Sequence, residues 1–214
     1  MKIIYLDSVE STQTYLKNLI KKEELELPLA VSANIQTNGL GSRNNSWIGY
    51  RGNLFLSFAI KLKDLPKDLK LESASIYFAY ILKETLEKEN SKVWLKWPND
   101  FYIADEKIGG MITNIVSDIL ICGVGINLIE APTNFNKIDI NISKEKLLNN
   151  YLKNIENFNS WKQIFSKYKL EFDLNKNFFT HDKHNKFPLS TALLQDDGSI
   201  EINGERIYSL RWAK

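Results

Sequence analysis

The sequence predicts an α+β fold: a central mixed β-sheet with flanking helices, followed by a small β module. Three observations carry this. Gly52–Ile60 reads as a strand whose alternating faces are both largely apolar, as in a strand covered on both sides, and Ile119–Leu128 reads as a further strand. Leu71–Glu89 repeats apolar residues at helical spacing, with Ile76, Ala79, Tyr80, Lys83 and Leu86 on one stripe and its edge. From Asn175 the pattern breaks into short strands separated by Asp196-Asp197-Gly198 and Asn203-Gly204, both hairpin-turn dipeptide types. The predicted division is therefore 1–174 for the main domain and 175–214 for the β module.

Taken in order, Lys2–Leu6 is the first strand and Asp7–Ser11 a polar turn. Tyr15, Leu16, Leu19 and Ile20 then mark a helix for which Ser11 is a good N-cap. Leu29–Ile35 is a second strand. The segment 37–47 holds too little apolar surface to anchor itself in a core, so it reads as a loop. Val93-Trp94-Leu95 and Phe101-Tyr102-Ile103 flank the stretch Lys96-Trp97-Pro98-Asn99-Asp100, and Pro98 interrupts sheet pairing there. Lys107–Ile115 is the return strand. Its paired glycines, Gly109-Gly110, mark either a plain bulge or close approach by another group. Helices follow at Ser143–Ile155 and Ser160–Leu174, then short strands at Leu189–Leu194, Ser199–Ile202 and Arg206–Trp212.

Composition narrows the function classes. With 214 residues, 43% of them hydrophobic and 25% charged, the chain has material for a real core and no signature of disorder. Lys+Arg of 28 against Asp+Glu of 26 is nearly balanced, which argues against a protein that coats nucleic acid by neutralising phosphate. Cys122 is the single cysteine, so disulfide and cysteine–zinc frameworks are excluded. His181 and His184 read as a polar loop, and no metal site is expected. No secretory signal or spanning segment is seen, and a cytoplasmic location is expected. Gly123-Val124-Gly125 lacks the third glycine and the following helix of a dinucleotide fingerprint.

Lys96-Trp97-Pro98-Asn99-Asp100 resembles the signature of the biotin protein ligases. On local grounds Lys96 is either a loop lysine or a strand-end cation aimed into a cleft. The resemblance extends to Ser11-Thr12, to the Gly39-Leu40-Gly41-Ser42-Arg43 loop after Gln36, to Gly109-Gly110 and to the Gly-x-Gly-x-Asn strand ending at Asn127. It implies the class II aminoacyl-tRNA synthetase/biotin ligase-like sheet and an SH3-like C-terminal module. In such ligases the Ser-Thr pair lies against the ureido head of biotin, and Gln13 stands where an asparagine is usual. The glycines allow backbone N–H groups to approach phosphate. Leu40, Ser42 and Asn45 stand where arginines are common, which leaves Arg43 as the loop's cation. Gln36, Gly39 and the backbone near Gly110 complete the implied biotin site. Trp47 and Asn127, with Leu40, Gly41, Ser42 and Arg43, make the implied nucleotide site.

The resemblance implies activation of biotin by ATP to biotinyl-5′-AMP, then transfer to a lysine of the biotin carboxyl carrier protein of acetyl-CoA carboxylase. Two anions meet in the first step, so positive charge is needed, and Lys96, Arg43 and Mg²⁺ are the expected sources. Lys96→Ala is expected to abolish adenylate formation. A lipoate–protein ligase is the neighbouring alternative, and a noncatalytic biotin-binding module is another. A first strand at Lys2 leaves no room before it for a helix-turn-helix, so DNA binding is not expected. A homodimer stays open.

Overall fold

The computed structural model describes residues 1–22, 25–41, 45–157, 159–182 and 185–209. Its centre is a seven-stranded sheet in the order β1-β2-β5-β9-β8-β7-β6. These strands are β1 (Lys2–Val9), β2 (Leu29–Gln36), β5 (Leu54–Lys61), β6 (Trp94–Lys96), β7 (Asp100–Ile103), β8 (Glu106–Val116) and β9 (Ile119–Ile126). β1 and β2 run parallel and every other neighbouring pair is antiparallel, so the sheet is mixed, as predicted. Two further strands, β3 (Gly39–Leu40) and β4 (Ser46–Trp47), pair within the predicted loop.

The alternation of β5 divides the molecule. Leu54, Leu56, Phe58 and Ile60 join the large core under α2 (Ala74–Glu87), α3 (Lys144–Glu156) and α4 (Trp161–Glu171). Phe58 meets Phe78 edge-on at 5.2 Å and Tyr151 at 6.0 Å. On the opposite face Ala59 packs with Leu16 of α1 (Thr12–Lys22) and with Leu29, Val31 and Ile121. Period-two sidedness thus places one helix over one face and three over the other.

Several boundaries differ from expectation. Asp7–Ser11 is not all turn, because β1 stays registered with β2 up to Val9↔Gln36. An edge strand carries polar residues without cost on its solvated side. The long central helix opens as a 3₁₀ turn, Leu71–Ser73. Lys83, read as the edge of a stripe, is buried and salt-bridged to Glu87 (2.7 Å) and to Glu171. Ser143 and Ser160 cap α3 and α4 as expected, Ser160 within a full capping box. The second of these helices ends at Glu171 and passes into a 3₁₀ turn, Phe172–Asn175.

The predicted β module consists of small antiparallel strands. β10 (Phe179–Asp182) and β11 (Asn185–Pro188) form a hairpin where a polar loop was expected; His181 lies on β10, and His184 lies outside the described residues. β12 (Leu193–Leu194), β13 (Ile200–Ile202) and β14 (Glu205–Ile207) form a three-stranded sheet. Leu189–Thr191 is a 3₁₀ turn instead of strand. The last expected strand is described only as far as Ile207 and residue 209. Leu189, Ile200, Ile202 and Ile207 belong to the same apolar cluster as α2 and α4, so the module shares the main core.

Candidate functional site

An open cleft of ≈ 500 Å³ lies on the α1 face of the sheet, between the N-terminus of α1, the β3–β4 hairpin, and strands β8 and β9. Its floor is opened by glycine. Gly123 and Gly125 of β9 and Gly110 of β8 all line it.

At one end, Ser11 caps α1. Its Oγ accepts from Thr14 N–H at 3.3 Å, and its carbonyl accepts from Tyr15 N–H at 2.9 Å. Thr12 gives both its N–H (2.8 Å) and its hydroxyl (3.0 Å) to Gln36 Oε1, and its hydroxyl lies 2.9 Å from Ser57 Oγ. These bonds leave Gln36 held by its oxygen. Gln13 is buried beside them, and its Nε2 meets no acceptor among the described residues. A methyl group at Gly123 would stand 3.3 Å from that nitrogen, so the glycine makes its room. Buried donors without partners are rare and costly. A donor of this kind facing a cleft is suited to a carbonyl-bearing ligand.

At the other end Trp47 lies over Gly125, whose added methyl would be 2.8 Å from Nε1. That indole N–H is also buried without an acceptor among the described residues. Phe135 meets the indole edge-on at 6.0 Å and 85°. Gly39 is not on the wall. It acts one step back, because only glycine lets the Trp47 carbonyl pass 2.6 Å from the Cβ position. Leu40 and Gly41 line the cleft; the predicted Ser42 and Arg43 lie outside the described residues.

The cation of the described wall is Lys107, on β8. Its Nζ lies 2.7 Å from Asp100 Oδ1, both side chains being about one-quarter exposed (25%/24%). The register explains its aim. Asp100 pairs with Gly110 and Phe101 with Gly109, but Tyr102 pairs with Lys107, so β8 carries one extra residue at Ile108. In a regular strand Lys107 and Gly110, three apart, would face opposite sides. The bulge turns Lys107 to the side of Gly110 and Asp100. Asn99 closes this corner, its carbonyl accepting Met111 N–H at 2.9 Å and its amide donating to the Met111 carbonyl.

Two expected site residues, Lys96 and Asn127, are not in the described lining. Lys96 is absent from the described lining: β6 is the sheet edge, and the Lys96 ammonium lies 5.8 Å from the centre of the Tyr102 ring. Asn127 is fully buried and serves the backbone. It accepts from Asn53 Nδ2 at 3.3 Å and donates to the Asn136 carbonyl at 3.1 Å. Asn53 in turn accepts the N–H groups of Leu128, Ile129 and Glu130 at 3.0, 2.9 and 3.3 Å. Sequence reasoning passed over Lys107, Asp100, Asn99 and Ser57. A charged residue leading into Gly109-Gly110 was the visible signal for Lys107.

Among the described residues no group of three or more His, Cys, Asp or Glu is placed to hold a metal ion, and no helix is long and apolar enough to cross a membrane.

A family model described as the biotin/lipoate A/B protein ligase family matches residues 5–127. The bifunctional ligase/repressor BirA of Escherichia coli is 30% identical over 133 residues, covering 59% of this chain and 40% of that protein. The biotin–[acetyl-CoA-carboxylase] ligase of Mycobacterium tuberculosis is 27% identical over 102 residues, 45% of this chain and 38% of its own length. The chain thus spans about two-fifths of the length of such curated relatives (40% for the Escherichia coli protein). Among solved structures, the biotin acetyl coenzyme A carboxylase synthetase of Helicobacter pylori with bound biotinylated ATP aligns at a TM-score of 0.92. It is 37% identical and covers 97% of this chain and 99% of its own. The Aquifex aeolicus biotin protein ligase in complex with biotin and ATP shares the fold at a TM-score of 0.77 and 23% identity, covering 97% and 94%.

Proposed function

Because this chain belongs to the biotin/lipoate A/B protein ligase family, we propose that it is an ATP-dependent biotin protein ligase acting on a biotin carboxyl carrier protein. One observation carries the reading. A single cleft joins a neutral hydrogen-bonding end (Thr12, Gln13, Gln36) to a cationic corner (Lys107) and an aromatic wall (Trp47). Biotin has a ureido head and a carboxylate tail, and ATP has a flat base and anionic phosphates. Those four chemistries correspond to the surfaces present.

In the first step a biotin carboxylate oxygen bonds to the α-phosphorus of ATP, and the bond to the pyrophosphate oxygen breaks. Both partners are anions. Lys107, steadied by Asp100, is the described ammonium placed to screen the carboxylate from the phosphate. Asp100, the carboxylate of the described wall, is already engaged, so Mg²⁺ is assigned to the substrate and travels on the phosphate oxygens. In the second step a lysine amine of the carrier forms an amide with the acyl carbon, AMP leaves, and the amine's proton passes to solvent. Arg43 remains a proposed further cation of the loop. Biotin specificity is assigned to Ser11, Thr12, Gln13 and Gln36, since a ligand that leaves such buried groups unpaired forfeits about 1–3 kcal/mol.

The test is pyrophosphate release from ATP, measured with and without biotin, followed by biotin transfer to a carrier domain. Release that depends on lipoate in place of biotin, or binding of biotin without any release, overturns the proposal.

A further inference from the structure

We infer that Asn175 and Trp97 are positioning residues of this site, through which the C-terminal module sets the rate of adenylate formation; the inference rests on the ligase reading above. No described residue lining the cleft comes from beyond Gly125. Yet the hairpin β6–β7, which carries Asp100, is held by residues beyond 171.

Trp97 is the centre of that hold. It is 1% exposed and is gripped at two points. Its backbone N–H donates to Asn175 Oδ1 at 2.7 Å, and its indole Nε1–H donates to the Gly198 carbonyl at 2.8 Å. Asn175 is itself oriented, its Nδ2 donating to the Phe172 carbonyl at 3.0 Å. The turn bearing Gly198 is pinned from both sides. Trp161 Nε1 donates to the Asp196 carbonyl at 2.8 Å, and Ser73 Oγ donates to the Asp197 carbonyl. Phe178 packs on the same hairpin, 5.1 Å from Trp94 and 5.3 Å from Tyr102.

β6 is three residues long and lies at the sheet edge, with β7 its neighbour in the sheet. Such a strand has few ladder bonds of its own to fix its position. Trp97 is three residues from Asp100, whose oxygen holds Lys107 at 2.7 Å. Charge stabilisation in phosphoryl transfer depends steeply on placement, and about 1 Å of displacement costs up to about a hundredfold in rate. The ligand-facing groups on α1, β2 and β4 are not reached by this hold. Loosening it should therefore lower turnover more than substrate affinity.

The experiment measures kcat and both KM values for biotin-dependent pyrophosphate release in the full chain. Asn175→Ala is expected to lower kcat about tenfold, with KM for ATP and biotin each within about threefold of the parent. Trp97→Phe removes the bond to Gly198 together with part of the buried ring, both of which hold the hairpin; it should lower kcat about three- to tenfold. If Asn175→Ala does not fold, Trp97→Phe decides. The inference is overturned if Trp97→Phe or Asn175→Ala keeps the parent kcat, or if either raises both KM values by as large a factor as it lowers kcat. A parent chain with no biotin-dependent release at all overturns the ligase reading instead.

Discussion

Two lysines flank the same hairpin and end in different surroundings. Lys96 closes β6 at the sheet edge, with its ammonium 5.8 Å from the Tyr102 ring. Burial, aided by the nearby Asp100 charge, pushes the Tyr102 hydroxyl up to about 12, so the ring beside Lys96 stays neutral. Lys107 enters β8, an inner strand, is turned by a bulge and lies against Asp100 in the wall of the cleft. Closeness to a motif did not decide which lysine faces ligand. Both sit on the Asp100 face, Lys96 as the direct β6 partner of Asp100 and Lys107 through the bulge, so it is place in the strand order, edge against interior, that separates them.

Substitutions can break that contrast. Lys107→Ala should lower kcat for pyrophosphate release by about a hundred- to a thousandfold, the usual loss when one transition-state donor goes. Lys96→Ala should stay within about tenfold, since Lys96 lies on the edge strand β6, outside the described lining. The reverse ranking in a single-turnover assay would restore Lys96 as the adenylation cation. Asp100→Asn keeps the shape but removes the ion pair, and should cost about tenfold in kcat with the Lys107 ammonium still present.

Two glycines sharpen the contrast from the nucleotide end. Gly125→Ala would drive a methyl into the Trp47 indole at 2.8 Å, so KM for ATP should rise about tenfold while the chain stays folded. Gly109→Ala meets backbone instead, the Gly125 carbonyl at 2.5 Å, and should cost about 1–3 kcal/mol in chemical denaturation.

The smallest effect serves as a control. Asp68 accepts the N–H groups of Trp161 and Lys162, each at 3.0 Å, at the start of α4. Burial raises its carboxyl, but those two backbone donors and its own N–H together outweigh it and hold the group below its ordinary value of 3.8. The stabilisation is therefore present above that value and is lost as pH falls through the lower folded one. Because the side chain is exposed, Asp68→Ala should cost only about 0.5–1 kcal/mol at pH 7 and should flatten the acid limb of a stability-versus-pH curve. It should leave the ratio of the two lysine variants' rates unchanged; a shifted ratio would mean that the helices, and not the strand order, separate the two lysines.

Local rules found most of the frame. The sidedness of Leu54–Ile60, the period of the central helix and the serine caps at 143 and 160 were all legible, because each depends on residues within a turn or a strand of one another. Ser11 and Thr12 were legible as a capped helix start, whereas Gln36 and Trp47 were named only through the family resemblance; all four line the cleft. Lys96 and Asn127 stand outside the described lining, because their surroundings are made by distant chain. Asn127 is claimed by Asn53 and by the carbonyl of Asn136. Lys96 is left at an edge by a strand order that no local pattern encodes.

From the amino-acid order alone came the α+β class, the glycines that open the cleft and the kinds of polar group available to it. Only the folded chain decided which cation enters. A strand's pleat repeats every two residues, and one bulged position, Ile108, reverses that parity for everything before it. Such a reversal exists only once β8 has found its partners.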